Sequence, residues 1–453
     1  MTKLTTVYFC AKCQAQTSKW SGRCLECGAW GTLKEEQAFS QGDQKEKQDV
    51  PPGKPVSFSL DSTPPAVINS TKLPILDEVL GGGLVAGSVT LLAGEPGIGK
   101  STLLAQVALA LASSDGRVIY VTGEESPAQI RRRLERLVKI IPAGVEFLDQ
   151  SDAAIVAKTI EIEKPTLFII DSIQSLRTPG VSGEAGSVNQ VKASAATVAQ
   201  AAKSSGVPVL LIGQVTKDGD IAGPRVLEHL VDSVLFLEGD NQERYRILRV
   251  LKHRFGTTDE VSLMSMTEHG LETVLDPSSE LLCDRPRGVP GSAVTCLMEG
   301  RRPMMLEIQA LVSPAGYGTP ARRATGVDSG RLGMLIAVLA RRASISAVDK
   351  DVYANAAGGL NARDPSVDLG LATAIASAVK DSGLDPRLCL FGEVGLSGEL
   401  RPVPLPELRM KEIKRLGFSQ VVLPKKQGKN APSGLEVREA STLREALQMA
   451  KII

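Results

Sequence analysis

The sequence has almost no net charge and very few histidines. Its 52 lysines and arginines are matched by 51 acidic side chains, which leaves a net charge of +1 and excludes an overall field that attracts nucleic acid. Any contact with DNA must therefore come from local patches. The only histidines are His229, His253 and His269, and none lies beside a plausible nucleophile, so Ser-His-Asp hydrolysis is excluded.

Long apolar runs are also missing. No window reaches the roughly 18 apolar residues of a membrane span, and the N-terminal "MTKLTTVYFCAKC" lacks the apolar core of a signal peptide. We therefore expect a cytoplasmic protein with no membrane partner.

The cysteines are few and unevenly distributed. Cys10, Cys13, Cys24 and Cys27 form two C-x2-C pairs separated by ten residues, a spacing that presents four thiolates to one Zn²⁺. Four cysteine ligands leave no open position, so the predicted site is structural. Two disulfides or free thiols are the alternative. The only tryptophans, Trp20 and Trp30, lie in this head, and we expect them to pack over the two zinc knuckles, with base stacking as the alternative.

The chain of 453 residues is too long for one core. We predict a zinc finger over 1–34, a polar linker over 35–60, an ATPase domain over 61–275 and a further α/β domain over 276–453. The short apolar strands "SVTLLAG", "RVIYVTG", "TLFIIDS" and "VPVLLIGQ" alternate with helical stretches, which favours a largely parallel sheet covered on both faces. "SVLFLEG", "DNQ" and "RYRILRVLKHR" predict a hairpin at its end.

One glycine-rich segment predicts a nucleotide site. "GEPGIGKST" matches G-x4-G-K-[ST] between an apolar strand and a helical stretch, which is the context that a P-loop for ATP requires. Backbone N–H groups of such a loop surround the phosphates, the lysine reaches the β and γ oxygens, and the serine binds Mg²⁺. The predicted ATP-binding residues are Gly94, Glu95, Pro96, Gly97, Ile98, Gly99, Lys100, Ser101 and Thr102.

Polar residues at the ends of neighbouring strands predict the rest of this site. Asp171 ends "TLFIID", where a carboxylate holds Mg²⁺. Glu124 of "GEES" is predicted to polarise the attacking water, with Glu125 as its competitor and a solvated helix-cap carboxylate as the alternative. Gln214 ends "VPVLLIGQ" and is predicted to sense the γ-phosphate, unless it is only a polar strand end.

The four-Cys head, "GEPGIGKST", "GEES", "LFIIDS", "LIGQVTKDG" and "KHRFG" follow one another along the chain. With these motifs in this order, the chain resembles the bacterial RadA/Sms DNA-repair family over nearly its full length. The resemblance implies a RecA-like P-loop ATPase core, a small four-Cys zinc ribbon, and a C-terminal α/β domain similar to the Lon protease domain. It also implies ATP, Mg²⁺ and Zn²⁺ as cofactors.

The box "KHRFG" departs from the family's usual KNRFG at His253. In related ring ATPases, basic residues here reach the nucleotide of the adjacent subunit, so the resemblance implies that Lys252 and Arg254 act in trans. An exposed hairpin end paired with Asp259 or Glu260 is the alternative.

The resemblance also implies DNA contacts in two glycine-rich loops. RecA-like rings hold single-stranded DNA on the equivalents of "TPGVSGEAGSVNQ" and "TKDGDIAGPR", which nominates Arg177, Lys217 and Arg225; ordinary mobile loops are the alternative. In the C-terminal domain, "PAGYGTPARRATG" interleaves an aromatic residue with Arg322 and Arg323, which favours a further DNA-binding patch. The other arginine pairs there are Arg301/Arg302 and Arg341/Arg342.

"NARDPSVDLG" places Ser366 where Lon has its nucleophile. The position of Lon's lysine base falls on Glu407, so the dyad is predicted to be broken unless Lys411 reaches in from the next turn. We expect Ser366 to cap a helix instead.

These features and the resemblance predict an ATP-dependent, ring-forming motor that binds single-stranded and branched DNA and works with the RecA recombinase. We expect its ring to be a hexamer. The alternatives are a DNA-stimulated ATPase that remodels RecA filaments without unwinding, a Lon-like protease, and an adaptor whose nucleotide only locks a ring.

Overall fold

The computed structural model describes residues 4–11, 16–17, 19–25, 28–39, 67–123, 125–214, 224–239, 245–316, 319–358, 361–362 and 364–453. The chain divides into two compact units. The first comprises Met1–Leu237, Val250–Thr258 and Glu268–Leu271, and the second comprises Glu238–Arg249, Asp259–Thr267 and Glu272–Ile453.

The N-terminal head is a small antiparallel sheet. Its strands are β1 (Leu4–Cys10), β2 (Gln16–Thr17) and β3 (Leu33–Phe39), in the order β2-β1-β3. β3 continues beyond residue 34, where the sequence analysis placed the start of the linker, because it pairs with the whole of β1, from Cys10 opposite Leu33 to Leu4 opposite Phe39.

The rest of the first unit is an α/β layer structure. Its strands are β4 (Ile68–Asn69), β5 (Leu84–Val85), β6 (Val89–Gly94), β7 (Val118–Thr122), β8 (Val145–Asp149), β9 (Leu167–Asp171), β10 (Val209–Gln214) and β11 (Ser233–Glu238). Its helices are α1 (Pro74–Val79), α2 (Lys100–Ala112), α3 (Pro127–Leu137), α4 (Ala153–Glu163), α5 (Val188–Ser205) and α6 (Pro224–Leu227), with a 3-10 turn over Ile173–Ser175.

Six of these strands form a parallel arrangement in the order β11-β6-β10-β9-β7-β8. β6 is buried along its whole length, which is what helices on both faces of a sheet require. The predicted α/β class is confirmed. The register places Gln214 opposite Gly94 and Thr122 opposite Asp171, so the carboxyl ends of four strands meet at one edge.

Three strands follow: β12 (Tyr245–His253), β13 (Val261–Thr267) and β14 (Gly270–Thr273). β12 and β13 are antiparallel, with Tyr245 opposite Ser265 and Arg249 opposite Val261. The division between the units falls within β12, after Arg249. The predicted "DNQ" turn lies outside the described residues, and the predicted domain boundaries stay predictions.

The second unit contains a seven-stranded mixed sheet in the order β17-β18-β16-β15-β19-β22-β23. The strands of this sheet are β15 (Ser292–Glu299), β16 (Arg302–Pro314), β17 (Arg322–Thr325), β18 (Lys350–Ala356), β19 (Leu388–Leu390), β22 (Gln420–Pro424) and β23 (Glu436–Ala440). The strands β20 (Glu393–Val394) and β21 (Leu400–Arg401) form a separate antiparallel pair. Its helices are α7 (Pro277–Leu282), α8 (Ser329–Arg342), α9 (Asp368–Lys380), α10 (Pro406–Arg415) and α11 (Leu443–Met449), with a 3-10 turn over Pro365–Val367.

The apolar residues of α8 and α9 form much of the core of the second unit. Across the described ranges of the chain, no helix has both the length and the apolar character needed to cross a membrane.

Candidate functional site

The P-loop connects β6 to α2, as its sequence context predicts. Gly94 has a φ of +155°, and a Cβ atom there would lie 2.4 Å from the carbonyl oxygen of Leu237 on β11. Only glycine therefore allows the strand to end so close to its neighbour. The loop backbone then turns through Gly97 and Gly99, both at positive φ, before α2 begins at Lys100.

Lys100 is a buried cation inside the loop. Its Nζ donates hydrogen bonds to the carbonyl oxygens of Gly94 (2.8 Å) and Glu95 (2.7 Å). A buried ammonium group needs such acceptors. Its position holds a positive charge at the wall of a cavity of about 350 Å³, which Ser101 and Thr102 also line.

Asp171 lies at the end of β9 and faces the same cavity. Its carboxylate accepts a hydrogen bond from the hydroxyl of Tyr120 (2.7 Å) and another from Ser101. Burial raises the pKa of Asp171, while the bonds from Tyr120 and Ser101 and the charge of Arg133 oppose that rise. The structure thus brings Ser101 and Asp171 together, as Mg²⁺ binding would require.

Glu125 and Arg133 form an ion pair in the cavity that the sequence analysis missed. Arg133 Nη2 lies 2.5 Å from Glu125 Oε1, and Nη1 lies 4.0 Å from Asp171 Oδ2. Helix α3 begins directly after Glu125, because Ser126 and Gln129 form a capping box there. Glu125 is therefore neither the helix cap nor fully solvated, while Glu124 lies outside the described residues.

A helical pattern in "QIRRRLERL" could have pointed to Arg133. Ile130 and Leu134 are the buried residues of α3, and Arg133 lies beside them at i+3 from Ile130. Its neighbours Arg131 and Arg132 are exposed. The sequence alone gives no reason to choose Arg133 unless the buried face of the helix is identified first.

Gln214 also lines the cavity, at the end of β10. Its side chain is exposed, and its carbonyl oxygen accepts a hydrogen bond from Gln174 (3.4 Å). The position agrees with a residue that contacts bound phosphate, a role that stays a prediction.

The KHRFG box begins in the last two residues of β12. None of its residues is among the described residues that line the nucleotide cavity. Lys252 donates to the carbonyl oxygens of Glu228 and Val231, the latter at 2.8 Å, and burial and the charge of Arg254 lower its pKa. Arg254 pairs with Asp232 (3.1 Å), a local partner that the sequence analysis did not consider. His253 Nδ1 lies 2.8 Å from the hydroxyl of Ser233.

In the zinc head, Cys10 and Cys24 are both buried, and the Cys10 Sγ lies 3.1 Å from the Thr32 hydroxyl. Buried thiols in so small a sheet fit a metal centre, since little apolar surface is available to replace it. Cys13 and Cys27 lie outside the described residues, so the four-ligand set stays a prediction. The expected packing of the tryptophans is wrong: Trp20 and Trp30 are 65% and 75% exposed.

Two family models match the chain, one described as an AAA domain over residues 56–220 and one as a rubredoxin metal binding domain over residues 8–35. Proteins named DNA repair protein RadA from Bacillus subtilis, Mycolicibacterium smegmatis and Pseudomonas aeruginosa are 40%, 44% and 42% identical to it. Each alignment covers at least 98% of both chains. The chain belongs to the RadA family of DNA repair proteins. Its AAA domain makes it an ATP hydrolase.

The residues predicted to bind DNA in this RadA family member belong to both units. Arg177 is held by backbone bonds to Ser151 (2.7 Å) and Ala153 (2.8 Å), away from the nucleotide cavity. Lys217 and the side chain of Arg225 lie outside the described residues. Arg322 and Arg323 belong to β17 in the second unit, where Arg322 donates to the carbonyl oxygen of Val348 (3.0 Å).

The loop after Arg177 is tied down by one buried amide. Gln190 on α5 accepts a hydrogen bond from Thr178 N (2.8 Å) and donates to the carbonyl oxygens of Val181 (2.7 Å) and Gly183 (3.3 Å). This part of the loop therefore has a defined conformation, where the sequence predicted a mobile segment.

Ser366 is fully buried beside Arg409, which the sequence analysis missed. Arg409 Nη1 donates to the Ser366 hydroxyl (2.7 Å), and Nη2 pairs with Asp364 (2.8 Å). Glu407 instead bonds Asn430, and Lys411 is exposed. The expected capping role of Ser366 is wrong, because Asp364 caps the 3-10 turn by accepting from Ser366 N.

Proposed function

We propose that the protein is an ATP-dependent, ring-forming motor that binds single-stranded DNA and processes branched recombination intermediates together with RecA. The observation that carries this proposal is the cavity at the carboxyl edge of the parallel strands, where Lys100, Ser101 and Asp171 converge in a chain of the RadA family. A P-loop and hard oxygen ligands at one strand edge suit a nucleotide with Mg²⁺.

Each residue of the cavity has a distinct role in this proposal. Lys100 exchanges its carbonyl acceptors for phosphate oxygens, and Ser101 and Asp171 hold Mg²⁺, which neutralises phosphate charge when bound. Glu124 or Glu125 orients the attacking water. Gln214 contacts the phosphate and passes the nucleotide state to the segment that follows β10, which contains Lys217.

Lys252 and Arg254 are proposed to act on the nucleotide of an adjacent subunit. Support comes from their position at the end of β12, apart from the residues that line their own chain's cavity. A trans-acting cation of this kind contributes about 10³–10⁵ in rate. This arrangement requires subunits that meet head to tail, and we propose that six of them close into a ring.

DNA contacts are proposed for Arg177, Lys217 and Arg225 in the first unit and for Arg322 and Arg323 in the second. Cations on loops and strand ends bind phosphates without sequence preference. The zinc head is proposed to be held by one structural Zn²⁺ on Cys10, Cys13, Cys24 and Cys27.

The test is ATP hydrolysis with and without single-stranded DNA, together with strand separation on a forked duplex. The proposal predicts that DNA raises the rate and that the fork is separated, while Lys100→Ala abolishes both activities. A DNA-stimulated rate without separation indicates an enzyme that remodels RecA filaments. A slow rate that does not respond to DNA indicates an adaptor and contradicts the motor.

The same preparations test the protease alternative. Ser366 is buried, and its hydroxyl accepts a hydrogen bond from Arg409, a side chain that only donates and so cannot act as its base. We therefore expect no cleavage of unfolded protein. Cleavage that disappears in Ser366→Ala would show that the second unit is a working protease.

A further inference from the structure

The zinc head exposes an aromatic surface that the metal site and the nucleotide site do not use. Trp20 and Trp30 are the only tryptophans of the chain, and both present most of their surface to solvent. Single exposed apolar residues are common, but here both tryptophans of one small head are mostly exposed. Exposed indoles are typical of residues that bind a partner.

A cation is fixed against one of these indoles. The guanidinium carbon of Arg23 lies 6.0 Å from the centre of the Trp30 ring, and Arg23 Nε donates to the carbonyl oxygen of Gly28 (3.0 Å). Arg23 and Trp30 are also bridged through their backbones. The charge and the aromatic ring are therefore held side by side before any ligand binds.

The local charge indicates the chemistry of the ligand. Over the whole head, residues 1–39, the sequence has five cations, Lys3, Lys12, Lys19, Arg23 and Lys34, against three carboxylates, Glu26, Glu35 and Glu36. Aromatic rings interleaved with cations suit nucleic acid, because a base stacks on the ring while the phosphate meets the cation. An apolar protein partner requires no such excess of positive charge.

We propose that Trp20, Arg23 and Trp30 form an aromatic platform that binds the unpaired bases of single-stranded DNA. The inference rests on the proposed function, which supplies DNA as the ligand, and adds a contact point on the metal-binding head. On this platform the bases stack on the exposed indoles and Arg23 contacts the backbone between them.

The experiment uses the tryptophan emission of the zinc-loaded full-length chain, titrated with a thymidine oligonucleotide of about 20 nucleotides. Because the chain has no other tryptophan, quenching reports stacking on this head alone. Trp20→Phe and Trp30→Phe assign the signal to each indole. Trp30→Ala and Arg23→Ala are each expected to raise the Kd about tenfold.

Leu25→Ala is the matched control, since Leu25 is 88% exposed on the same head but has neither ring nor charge. It is expected to leave the Kd unchanged. Zinc content is measured for every variant. If an alanine variant loses its metal, the emission quenching of the phenylalanine variants decides whether the bases stack on Trp20 or Trp30.

Binding is followed in parallel by the anisotropy of a labelled oligonucleotide. Anisotropy that reports binding while the tryptophan emission stays constant places the DNA elsewhere and overturns the platform, but leaves the proposed function intact. A loss of affinity in Leu25→Ala equal to that in Trp30→Ala indicates a general apolar surface and also overturns it. No binding by anisotropy contradicts both proposals.

Discussion

At the scale of single residues, the nucleotide site is organised by contacts between distant parts of the chain. Arg133 joins Glu125 and lies near Asp171, so one guanidinium is shared between two carboxylates of the cavity. Burial works to lower the pKa of Arg133, but its bond to Glu125 prevails and raises that pKa. Arg133 thus stays charged and fixes the position of Glu125.

Arg133→Ala is expected to lower kcat for ATP about 10²-fold, because it displaces Glu125, which is one of the two carboxylates proposed to orient the attacking water. Affinity for ATP, measured by equilibrium binding, should change much less. Arg131→Ala is the control, since Arg131 lies on the same helix and pairs with Glu135 at the surface. A parallel loss of affinity and kcat would mean that Arg133 binds phosphate instead of positioning Glu125.

The second unit depends on a buried pair, Asp364 and Arg409. Burial works to raise the pKa of Asp364, but Arg409 and the N–H groups of Ser366 and Met298 hold it below its ordinary range. The pair therefore stabilises the fold fully above the ordinary carboxyl pKa of about 4, and this contribution is lost as the pH falls through the lower folded-state value.

Asp364→Asn is expected to cost about 3–5 kcal/mol of unfolding free energy at neutral pH, since it leaves Arg409 buried without its counter-ion. Urea unfolding of the second unit measures this, and the difference from wild type should shrink only below about pH 4. Glu399→Gln removes the exposed pair with Arg401, which water and salt screen, and should leave the free energy of unfolding almost unchanged. Equal effects of the two changes would contradict the account.

At the scale of elements, the strands that the sequence predicts are the ones with uninterrupted apolar runs. β6, β7, β9, β10 and β11 were all predicted, because strands buried on both faces have a continuous pattern. β8 was missed, since it is half-buried and lies at the end of the strand order. The order of the strands cannot be read from the sequence, because it depends on how the helices that connect the strands pack against the sheet.

The dependence on tertiary packing also explains which residues of the nucleotide site could be predicted from the sequence. The P-loop is contiguous, so its sequence alone predicts its structure, and Asp171 follows from its position at a strand end. Arg133 and Arg409 reach their partners through tertiary packing, and Arg409 is 45 residues from Asp364 in the sequence. The partner of Arg254, Asp232, belongs to a different strand connection and was missed for the same reason.

The loop that follows Arg177 provides a test at this scale. Gln190→Leu keeps the volume of the side chain but removes its hydrogen bonds to Thr178 N and to the carbonyl oxygens of Val181 and Gly183. We expect the loop to lose about 1–3 kcal/mol of local stability. Amide hydrogen exchange should become faster over residues 178–187. Gln200→Leu, an exposed change on α5, should have no effect on that loop. Unchanged exchange in Gln190→Leu would show that other contacts order the segment.

At the scale of the whole molecule, the cysteines report the state of the metal site. Burial raises the pKa of Cys296 to about 12 and holds that of Cys389 well above its usual value, so both thiols are unreactive. Cys283 is exposed.

The zinc-loaded chain is therefore expected to contain one readily labelled thiol, Cys283. Removing the metal with a chelator should add Cys10, Cys13, Cys24 and Cys27, because thiolates that bind zinc are released together. Labelling with a thiol reagent, followed by peptide mass analysis, gives the count. Labelling of the four head cysteines at the same rate before and after chelation would contradict a metal site.

The central claim is that the chain works as a ring whose subunits complete one another's nucleotide sites. It is tested most directly by DNA-stimulated ATP hydrolysis in mixtures of wild-type protein with increasing fractions of Lys252→Ala, at constant total concentration. Lys158→Ala, an exposed lysine on α4, is the control. The account predicts that activity falls more steeply than the wild-type fraction with Lys252→Ala and does not fall with Lys158→Ala. A fall in strict proportion to the wild-type fraction would contradict it, because each subunit would then hydrolyse ATP alone.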